Sequence, residues 1–459
     1  MKQNIELDQI KNVYFIGIGG IGMSALARFF HLHQINVSGY DKTKTELTKS
    51  LENQGISVVY EDKIELLPEN IDLVIYTPAI PKDHLGLNEV IKKNIPLLKR
   101  AEVLGLISRA KKTVAIAGTH GKTTTSSMAT YFIREGGIDA TGFLGGIANN
   151  YNTNYIEGKS EWVVVEADEY DRSFLQLSPD IALLMSVDAD HLDIYGNDEA
   201  VKQSYKDFVK KIKDGGTLIY HQSIQIAEKS EFPNLNLISF GIDEGDVFAN
   251  NIRVKDGKVI FDINGKFGFS SDWSITQPGL HNVQNALAAW IAAKILNIDN
   301  ERLKNALATF TGIKRRFEYH YIGKNAIYID DYAHHPTELN AAISAAKLMF
   351  PDKKITGIFQ PHLFSRTRDF AEGFAAALDN LDQIILLDIY PAREIPIENI
   401  TSSTIFDLIK NSNKILTTKE LLLPILSNVF QDGVLLSMGA GDIDTKIIEI
   451  SNMLKSRNL

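Results

Sequence analysis

A phosphate-binding loop is the first chemical feature that the sequence suggests. The stretch VAIAGTHGKTTTSSM, from Val114 to Met128, is an apolar strand followed by a glycine-threonine-lysine loop and a helix-like segment. Backbone N–H groups at the start of such a helix bind phosphate oxygens, Lys122 would reach the β- and γ-phosphates, and the Thr123 hydroxyl would coordinate Mg²⁺. The usual pattern G-x-x-x-x-G-K-[ST] separates its glycines further, whereas Gly118 and Gly121 have only two residues between them. A glycine turn with a solvated lysine is therefore the alternative.

Acidic residues follow two apolar strands further along the chain. Glu166 ends the run VVVE, and Asp188, Asp190, His191 and Asp193 follow the run IALLMSV. Parallel sheets bind ligands at the carboxyl ends of their strands, and carboxylate oxygens suit Mg²⁺. Each segment alone is more typical of a solvated acidic loop. Together with the phosphate loop, they predict a metal–triphosphate site.

A second glycine-rich loop lies near the N-terminus. The segment GIGGIGM follows the apolar run NVYFI, and Gly17, Gly19 and Gly22 have the spacing of a dinucleotide-binding loop. Asp41 follows the next strand, where a carboxylate could bind a ribose hydroxyl. The loop by itself does not distinguish NAD from the pyrophosphate of a UDP-sugar. A purely structural glycine turn is a third interpretation.

The composition limits the classes of function. The chain has 459 residues, of which 44% are hydrophobic and 23% charged, a formal net charge of −9 and no cysteine. It is long enough for about three domains. The net charge gives no overall attraction to nucleic acid or to an acidic membrane surface, and the lack of cysteine excludes disulfides, thiolate catalysis and cysteine-ligated zinc. No signal peptide and no apolar run near the roughly 20 residues of a membrane span are evident, so we expect a cytoplasmic protein without membrane insertion.

The order of the predicted elements indicates the fold class. Short apolar strands alternate with helical patterns along most of the chain, which predicts an α/β fold with parallel sheets. We expect a Rossmann-like domain at 1–106, a central P-loop-type ATPase domain with a parallel sheet at 107–314, and a C-terminal Rossmann-like α/β domain at 315–459. Within the central part, VKDGKVIFDINGKFGF predicts a hairpin.

A set of motifs in a fixed order resembles the Mur ligases of peptidoglycan synthesis. They are AGTHGKTTT, EADEYD, DADHLD, GLHNVQNALAA, GIKRRFE and DDYAHHPTE. The resemblance extends over essentially the whole chain. Four further segments are similar to the alanine-adding branch of the family: GIGGIGMSALA, FQPHLFSRTRDF, DIYPAREIPI and GAGDI. The resemblance implies ATP-dependent, Mg²⁺-requiring ligation of L-alanine to the lactyl carboxylate of UDP-N-acetylmuramate, through an acyl phosphate and with release of ADP and phosphate.

The resemblance also implies roles for individual residues. It assigns the UDP of the sugar nucleotide to the front loop, with Gly17, Gly19, Gly20, Gly22 and Asp41. It assigns ATP to Gly118, Thr119, His120, Gly121, Lys122, Thr123, Thr124, Asn282, Asn285, Arg316 and Asp331, the asparagines contacting adenine and Asp331 the ribose. The implied metal ligands are Thr123, Glu166 and His191. The implied catalytic residues are Lys122, Glu166, His191, Arg366 and His335.

Several of these residues also have a simpler interpretation. Asn282 lies at a helix start, where it or His281 would serve as a cap. Arg315 and Arg316, of which the resemblance makes one a phosphate contact, would otherwise form a basic linker. His191 would otherwise bond a neighbouring aspartate, because imidazole is an unusual Mg²⁺ ligand. Two lysines in the region where other branches carry a carbamylated lysine, Lys202 and Lys206, are left out of the site.

In the third domain, the loop DDYAHHPTE is implied to line the amino-acid site. His334 and His335 would otherwise suggest zinc, although adjacent loop histidines rarely ligate one ion. Arg366 and Arg368 are predicted to precede a helix, where they could bind carboxylates in bidentate fashion. Without an anion their charge would oppose the helix dipole, which favours the binding role.

Other functions remain open from the sequence. The nearest is the recycling ligase that adds a tripeptide to the same sugar. A folylpolyglutamate synthase-like enzyme is disfavoured because that branch lacks the UDP-binding front domain. An NAD-dependent dehydrogenase would use GIGGIG, and a nucleotide-regulated binding protein would bind ATP without turnover. We expect a monomer or weak homodimer.

Overall fold

The computed structural model describes residues 7–188, 195, 197–225, 231–392 and 394–457. Its internal contacts divide the chain into two compact units. The first comprises residues 1–250, 262–273 and 284–311, and the second comprises 251–261, 274–283 and 312–459. The α/β fold predicted from the sequence is confirmed, with three sheets formed by successive parts of the chain.

The first sheet is five-stranded and parallel, with the order β3-β2-β1-β4-β5. The central strand β1 has four buried residues in its run NVYFI, as expected for a strand covered on both faces. Its strands are β1 (Asn12–Ile16), β2 (Asn36–Tyr40), β3 (Ser57–Val59), β4 (Leu73–Tyr76) and β5 (Leu97–Lys99). Its helices are α1 (Ile21–Leu32), α2 (Glu46–Asn53), α3 (Leu85–Lys92) and α4 (Arg100–Ala110). The arrangement is Rossmann-like, and the glycine loop connects β1 to α1.

The second sheet has ten strands, in the order β15-β14-β13-β12-β11-β10-β6-β9-β7-β8. Its strands are β6 (Lys112–Ala117), β7 (Thr141–Ala148), β8 (Thr153–Ile156), β9 (Trp162–Glu166), β10 (Ile181–Leu184), β11 (Thr217–His221), β12 (Asn236–Ile242), β13 (Val247–Lys255), β14 (Lys258–Gly265) and β15 (Ser270–Ile275). Its helices are α5 (Lys122–Glu135), α6 (Asp198–Val209), α7 (Leu280–Ile295) and α8 (Asn300–Thr309). Strand β6 pairs in parallel with both β9 and β10, so the segments that follow these three strands meet at one edge of the sheet.

The predicted hairpin is formed by β13 and β14. Asp256 and Gly257 connect these strands with φ of 52° and 71°, the positive values that a tight hairpin turn requires. The Asp-Gly pair is the sequence signal for this turn.

A buried arginine joins the first sheet to the second within the first unit. Arg28 of α1 is only 4% exposed, and its Nη1 donates to Asn154 Oδ1 on β8 at 2.6 Å. Asn154 Nδ2 in turn donates to Ile21 O at 2.5 Å. The remaining contacts of the guanidinium are with Gln54 Oε1 at 3.0 Å and Ser50 Oγ at 3.1 Å. These partners are all neutral, and burial lowers the pKa of Arg28.

The third sheet lies in the second unit, with the order β16-β17-β21-β18-β19-β20. Its strands are β16 (Glu318–Ile322), β17 (Ala326–Asp331), β18 (Ile355–Phe359), β19 (Gln383–Leu386), β20 (Lys414–Leu416) and β21 (Gly433–Met438). Its helices are α9 (Pro336–Met349), α10 (Phe364–Leu378), α11 (Ser403–Phe406), α12 (Leu422–Val429) and α13 (Ile447–Ser456). All pairings are parallel except that of β16 with β17. Among the described residues, no helix combines the length and apolar character needed to cross a bilayer.

Candidate active site

The front glycine loop turns sharply between β1 and α1. Gly17 has φ +87°, and a Cβ there would lie 2.7 Å from Thr77 Cγ2, so this position requires glycine. Asp41, which directly follows β2, accepts a hydrogen bond from Gly19 N through Oδ2 at 2.8 Å. Its other oxygen, Oδ1, accepts from Thr43 N at 3.1 Å. Asp41 therefore fixes the conformation of the loop that leads into α1. The N-terminus of α1 is suited to bind a pyrophosphate.

Arg100 is a site residue that the sequence interpretation missed. It is the first residue of α4, and its Nη2 donates to Asp168 Oδ2 at 2.9 Å. A Cβ at Gly22 would lie 2.5 Å from Arg100 Nη1, so the guanidinium lies directly against the front loop. Lys99 beside it pairs with Asp171 at 2.7 Å. Two consecutive cations, Lys99 and Arg100, thus bind carboxylates of the EADEYD segment.

The phosphate loop is hydrogen-bonded to the segment that follows β10. Gly118 has φ +133°, and a Cβ there would lie 2.8 Å from Ser186 N. Thr119 N donates to Ser186 O at 3.2 Å, and His120 N donates to Ser186 Oγ at 2.8 Å. Helix α5 begins at Lys122, so the N–H groups of Lys122, Thr123 and Thr124 precede the first intrahelical bond, Thr125 N to Gly121 O. These N–H groups form the anion-binding end of the helix.

Lys122 is the cation of this loop, and it is only 14% exposed. Its Nζ donates to Gly118 O at 2.6 Å, to Thr119 O at 3.1 Å and to Glu169 Oε1 at 2.9 Å. Burial acts to lower the pKa of Lys122, but the carboxylates of Glu169, Glu166 and Asp168 outweigh it and raise that pKa. Lys122 is therefore charged at neutral pH.

Glu166 ends β9 beside the first turn of α5, as predicted. Its Oε2 accepts from Gly145 N at 3.1 Å and from Ser126 Oγ at 3.5 Å. Ser126 is three residues after Thr123 on the same helix, and its Oγ also donates to Thr123 O at 3.1 Å. The Thr123 hydroxyl and the Glu166 carboxylate are hard oxygen donors of the kind that Mg²⁺ prefers, so these residue types fit that ion.

The third implied metal ligand, His191, lies outside the described residues, as do Asp190 and Asp193. Asp188 is described, and its Oδ2 lies 3.6 Å from His120 Nε2. Among the described residues, no group of three or more His, Asp and Glu side chains is arranged to hold a metal ion.

A pocket in the first unit connects the front loop to Glu166. It is bounded by the start of α1, by α4, by the end of β9 and by the middle of β7. Its lining includes Ile21, Gly22, Arg100, Gly145, Glu166 and Asp168. One cavity therefore contains the helix end suited to a pyrophosphate, a half-buried cation and the predicted metal-binding carboxylate.

The two asparagines implied for adenine lie near the start of α7. Asn285 Oδ1 accepts from Thr125 Oγ1 at 3.1 Å, and a Cβ at Gly121 would lie 2.7 Å from that oxygen. Asn285 therefore packs against the phosphate loop. Asn282 Nδ2 donates to Pro278 O at 2.7 Å. Both side chains are buried, and their adenine contact stays a prediction.

In the second unit, Arg315 and Arg316 have different surroundings. Arg315 has φ +60°, and its guanidinium donates to Asp330 Oδ2 at 2.9 Å and to Gly439 O at 2.7 Å. Arg316 is more exposed, at 30%, and lies 3.6 Å from Glu338. Arg315 thus stabilises its own domain, and Arg316 is the better placed of the two for a ligand.

Asp331 ends β17 and is 9% exposed. Its Oδ2 accepts from Phe317 N at 2.8 Å, and its Oδ1 accepts from Ala333 N at 2.8 Å. Burial raises the pKa of Asp331 to about 6, against the opposing effects of Arg316 and of these two hydrogen bonds. The implied ribose contact stays a prediction.

The adjacent histidines face different neighbours. His334 lies in a row of rings with Tyr332 at 5.2 Å and His362 at 6.2 Å. Burial lowers the pKa of His334, with the positive charge of Arg366 acting in the same direction. His335 instead caps α9, accepting from Thr337 N at 3.3 Å, and packs on the Phe370 ring at 4.8 Å. The pair is not arranged to share one ion, and a catalytic role for His335 stays a prediction.

One placement in this region was wrong. Arg366 and Arg368 were expected to precede a helix, but α10 begins at Phe364, so both lie within it. Residues two apart on a helix point in different directions. Arg368 accordingly points outward, 53% exposed, and pairs with Asp369, whereas Arg366 is half-buried near His334.

Three family models match the chain in sequence order. The one described as the Mur ligase family catalytic domain matches residues 12–112. The Mur ligase middle domain matches residues 116–293, and the Mur ligase glutamate ligase domain matches residues 315–441.

Individual proteins are similar over nearly the whole chain. A UDP-N-acetylmuramate–L-alanine ligase of Cytophaga hutchinsonii is 48% identical over 463 residues, covering 99% of each chain. The crystal structure of a UDP-N-acetylmuramate–alanine ligase from Thermotoga maritima superposes with a TM-score of 0.83 at 27% identity, covering 97% of this chain and 99% of that one. A murein peptide ligase from Psychrobacter arcticus gives a TM-score of 0.72 at 22% identity, covering 96% and 98%. At that identity the likeness concerns the fold alone.

Proposed function

This chain belongs to the Mur ligase family, and from that premise we propose that it joins L-alanine to the lactyl carboxylate of UDP-N-acetylmuramate. ATP is cleaved to ADP and phosphate, and the product is a peptidoglycan precursor. The front loop alone is compatible with NAD or with a UDP-sugar. Because the chain is a Mur ligase, we propose the UDP-sugar as its ligand. We further propose the cytoplasm as the place of action, because ATP is a substrate.

The pocket between the front loop and Glu166 is the observation that carries this proposal. Its lining offers the start of α1 for a pyrophosphate and Glu166 for the reacting end of the same molecule. A sugar nucleotide presents a pyrophosphate at one end and a carboxylate at the other, so it matches the two ends of the pocket. Arg100 lies between them, paired with Asp168, and supplies positive charge to an anionic ligand.

Crowding of negative charge is the main physical problem of the proposed reaction. A triphosphate must approach a carboxylate closely, so positioning and charge neutralisation supply most of the catalysis. Lys122 and the N-terminal N–H groups of α5 would bind the transferred phosphate. Thr123 and Glu166 would hold Mg²⁺, which, when bound, neutralises charge on the phosphates. His191 is implied by the family resemblance for a second ion.

We propose that the amino acid, which acts as the amine acceptor, binds in the second unit. There His334, His362 and Tyr390 form a continuous row of rings, with His362 stacked on Tyr390 at 5.9 Å. The charge of Arg366 acts on this row, which suits the small carboxylate of a free amino acid. A crowded set of rings beside one arginine favours L-alanine over a tripeptide.

Phosphate release from ATP tests the proposal directly. With UDP-N-acetylmuramate present, L-alanine should stimulate release, and glycine and L-serine should do so more weakly, since one methyl group is worth only about 1–3 kcal/mol of discrimination. The proposal is falsified if the tripeptide L-Ala-γ-D-Glu-meso-diaminopimelate is ligated efficiently while free L-alanine is not. Sedimentation analysis of the same sample would test the expected monomer or weak homodimer.

A further inference from the structure

The ammonium of Lys122 has no donor left over for a phosphate. An ammonium has three N–H donors, and three acceptors lie within hydrogen-bond distance: Gly118 O at 2.6 Å, Glu169 Oε1 at 2.9 Å and Thr119 O at 3.1 Å. A nucleotide phosphate must therefore displace at least one of these oxygens before Lys122 can bind it.

Glu169 is the acidic member of that set. Burial raises the pKa of its carboxyl, and the Lys122 ammonium at 2.9 Å acts in the opposite direction and favours the ionised form. The four acidic residues of its motif, EADEYD, have different partners. Glu166 accepts from Gly145 N, Asp168 accepts from Arg100, Glu169 accepts from Lys122, and Asp171 pairs with Lys99. Only 5% of the Glu169 side chain is exposed, so water screens its attraction for the ammonium weakly.

The backbone at Glu169 is held in place. Glu169 O accepts from Tyr195 Oη at 2.6 Å and from Arg172 N at 2.9 Å. Arg172 and the preceding Asp171 both have positive φ, 54° and 53°, so the chain turns sharply directly after Glu169. A carboxylate on such a fixed turn is poorly able to follow Lys122 when the lysine moves to a phosphate.

We propose that Glu169 is a positioning residue that competes with nucleotide phosphate for Lys122. Without nucleotide it holds the ammonium at the rim of the phosphate loop. When phosphate leaves, it draws the ammonium back and so favours release of ADP. This inference rests on the nucleotide-binding part of the proposed function and assigns Glu169 no contact with the substrates.

The competition predicts an unusual direction of change for Glu169→Gln. The amide keeps the shape and one acceptor oxygen but loses the negative charge, so Lys122 loses the one counter-ion that is hydrogen-bonded to it in the free protein. Because phosphate restores that counter-charge, the variant should bind Mg-ADP about ten-fold more tightly than wild type. The free protein should melt at a lower temperature, and saturating Mg-ADP should remove most of that difference.

The experiment is calorimetric titration of the whole chain with Mg-ADP, in the absence of sugar nucleotide and amino acid, together with melting curves with and without ADP. Glu169→Asp, which withdraws the carboxylate by one methylene, should have an affinity between those of wild type and Glu169→Gln. Asp171→Asn removes the same charge from the same turn, where it pairs with Lys99, and should leave ADP affinity within about two-fold. In steady state, Glu169→Gln should lower the KM for ATP and lower kcat through slower ADP release.

The outcomes separate two failures. Equal or weaker ADP binding by Glu169→Gln would overturn the competition and leave the proposed function intact. If Glu169→Gln does not fold, Glu169→Asp decides by the same criterion. A wild-type chain that binds no Mg-ADP overturns the competition and the proposed function together.

Discussion

The two glycine loops of the first unit share one backbone plan and differ in how a carboxylate is used. Each connects a buried parallel strand to a helix, β1 to α1 and β6 to α5. At the front loop, Asp41 accepts a hydrogen bond from a backbone N–H, that of Gly19. At the phosphate loop, Glu169 accepts a hydrogen bond from a side-chain ammonium, that of Lys122.

Because of this difference, we expect Asp41 to support ligand binding and Glu169 to compete with the ligand. The N–H of Gly19 cannot move to a ligand, so Asp41 acts as a brace that keeps the loop in its binding conformation. The ammonium of Lys122 is at the end of a flexible chain, so Glu169 holds it in one of two positions. Loss of the first carboxylate should weaken binding, whereas loss of the second should strengthen it.

The largest expected effect comes from removing the cation of the phosphate loop. Lys122→Ala should lower kcat/KM for ATP by about a hundred-fold or more, roughly 3 kcal/mol, because it removes a preorganised charge from the phosphoryl-transfer step. Lys112→Ala is the matched control, since Lys112 lies at the exposed start of β6, the strand that leads into the phosphate loop, and pairs with Glu161. Phosphate-release kinetics on folded protein provide the measurement. Near-normal turnover of Lys122→Ala would remove the basis for the phosphate-loop assignment.

The next effect concerns the front loop and leaves ATP unaffected. A Cβ at Gly22 would lie 2.5 Å from Arg100 Nη1, so Gly22→Ala should push this flexible side chain away from Asp168 without unfolding the domain. The KM for UDP-N-acetylmuramate should rise roughly thirty-fold, about 2 kcal/mol for one charged hydrogen-bonded contact. At Gly20 the nearest atom to a Cβ is 3.5 Å away, so Gly20→Ala should have a clearly smaller effect. Equal effects of the two variants would contradict this account of Arg100.

The contrast between brace and competitor is tested most directly at Asp41. Its two oxygens accept from two N–H groups, of Gly19 and Thr43, and an amide can accept only one of them. Asp41→Asn should therefore weaken UDP-N-acetylmuramate binding about ten-fold, for a loss near 1.5 kcal/mol. Calorimetry gives the sign as well as the size. Tighter binding by Asp41→Asn would mean that Asp41 also competes with its ligand.

The smallest effect is a pH dependence of ATP binding. Burial raises the pKa of Asp331 to about 6, so its carboxyl is ionised above that pH and becomes neutral below it. A neutral acceptor bonds a ribose hydroxyl less strongly, so the KM for ATP should rise about three-fold as the pH falls from about 7.5 to 5.5. Asp331→Asn should flatten this rise, and the KM for UDP-N-acetylmuramate over the same pH range serves as the control. A pH-independent KM for ATP in wild type would show that Asp331 does not bind the nucleotide in its ionised form.

Much of the site could be predicted because parallel strands bring their carboxyl ends to one edge. Glu166 and the loop from Gly118 to Lys122 are far apart in sequence, yet β6 and β9 are paired neighbours. Strand endings marked by glycine or by acidic residues therefore indicate a common site. The backbone turn in each loop could also be predicted, since its glycines lie where positive φ or close packing requires them.

Pairing partners could not be predicted in the same way. Arg100 and Asp168 are 68 positions apart, and nothing in the RAEVL segment distinguishes this arginine from a solvated one. Glu169 lies among several acidic residues, and nothing in the motif marks it as the one that contacts Lys122. The early start of α10 was missed for a different reason: Leu363, at φ 71°, is not a residue type that marks a helix N-terminus.

The hydrogen bonds of Arg28 connect the first two sheets of the first unit, and we expect them to be insensitive to salt. Its partners are amides and a hydroxyl, so dissolved ions have no opposing charge to screen, whereas the partly exposed Arg100–Asp168 pair weakens as ionic strength rises. Concentrated salt should therefore disturb the lining of the pocket while the first two sheets remain joined.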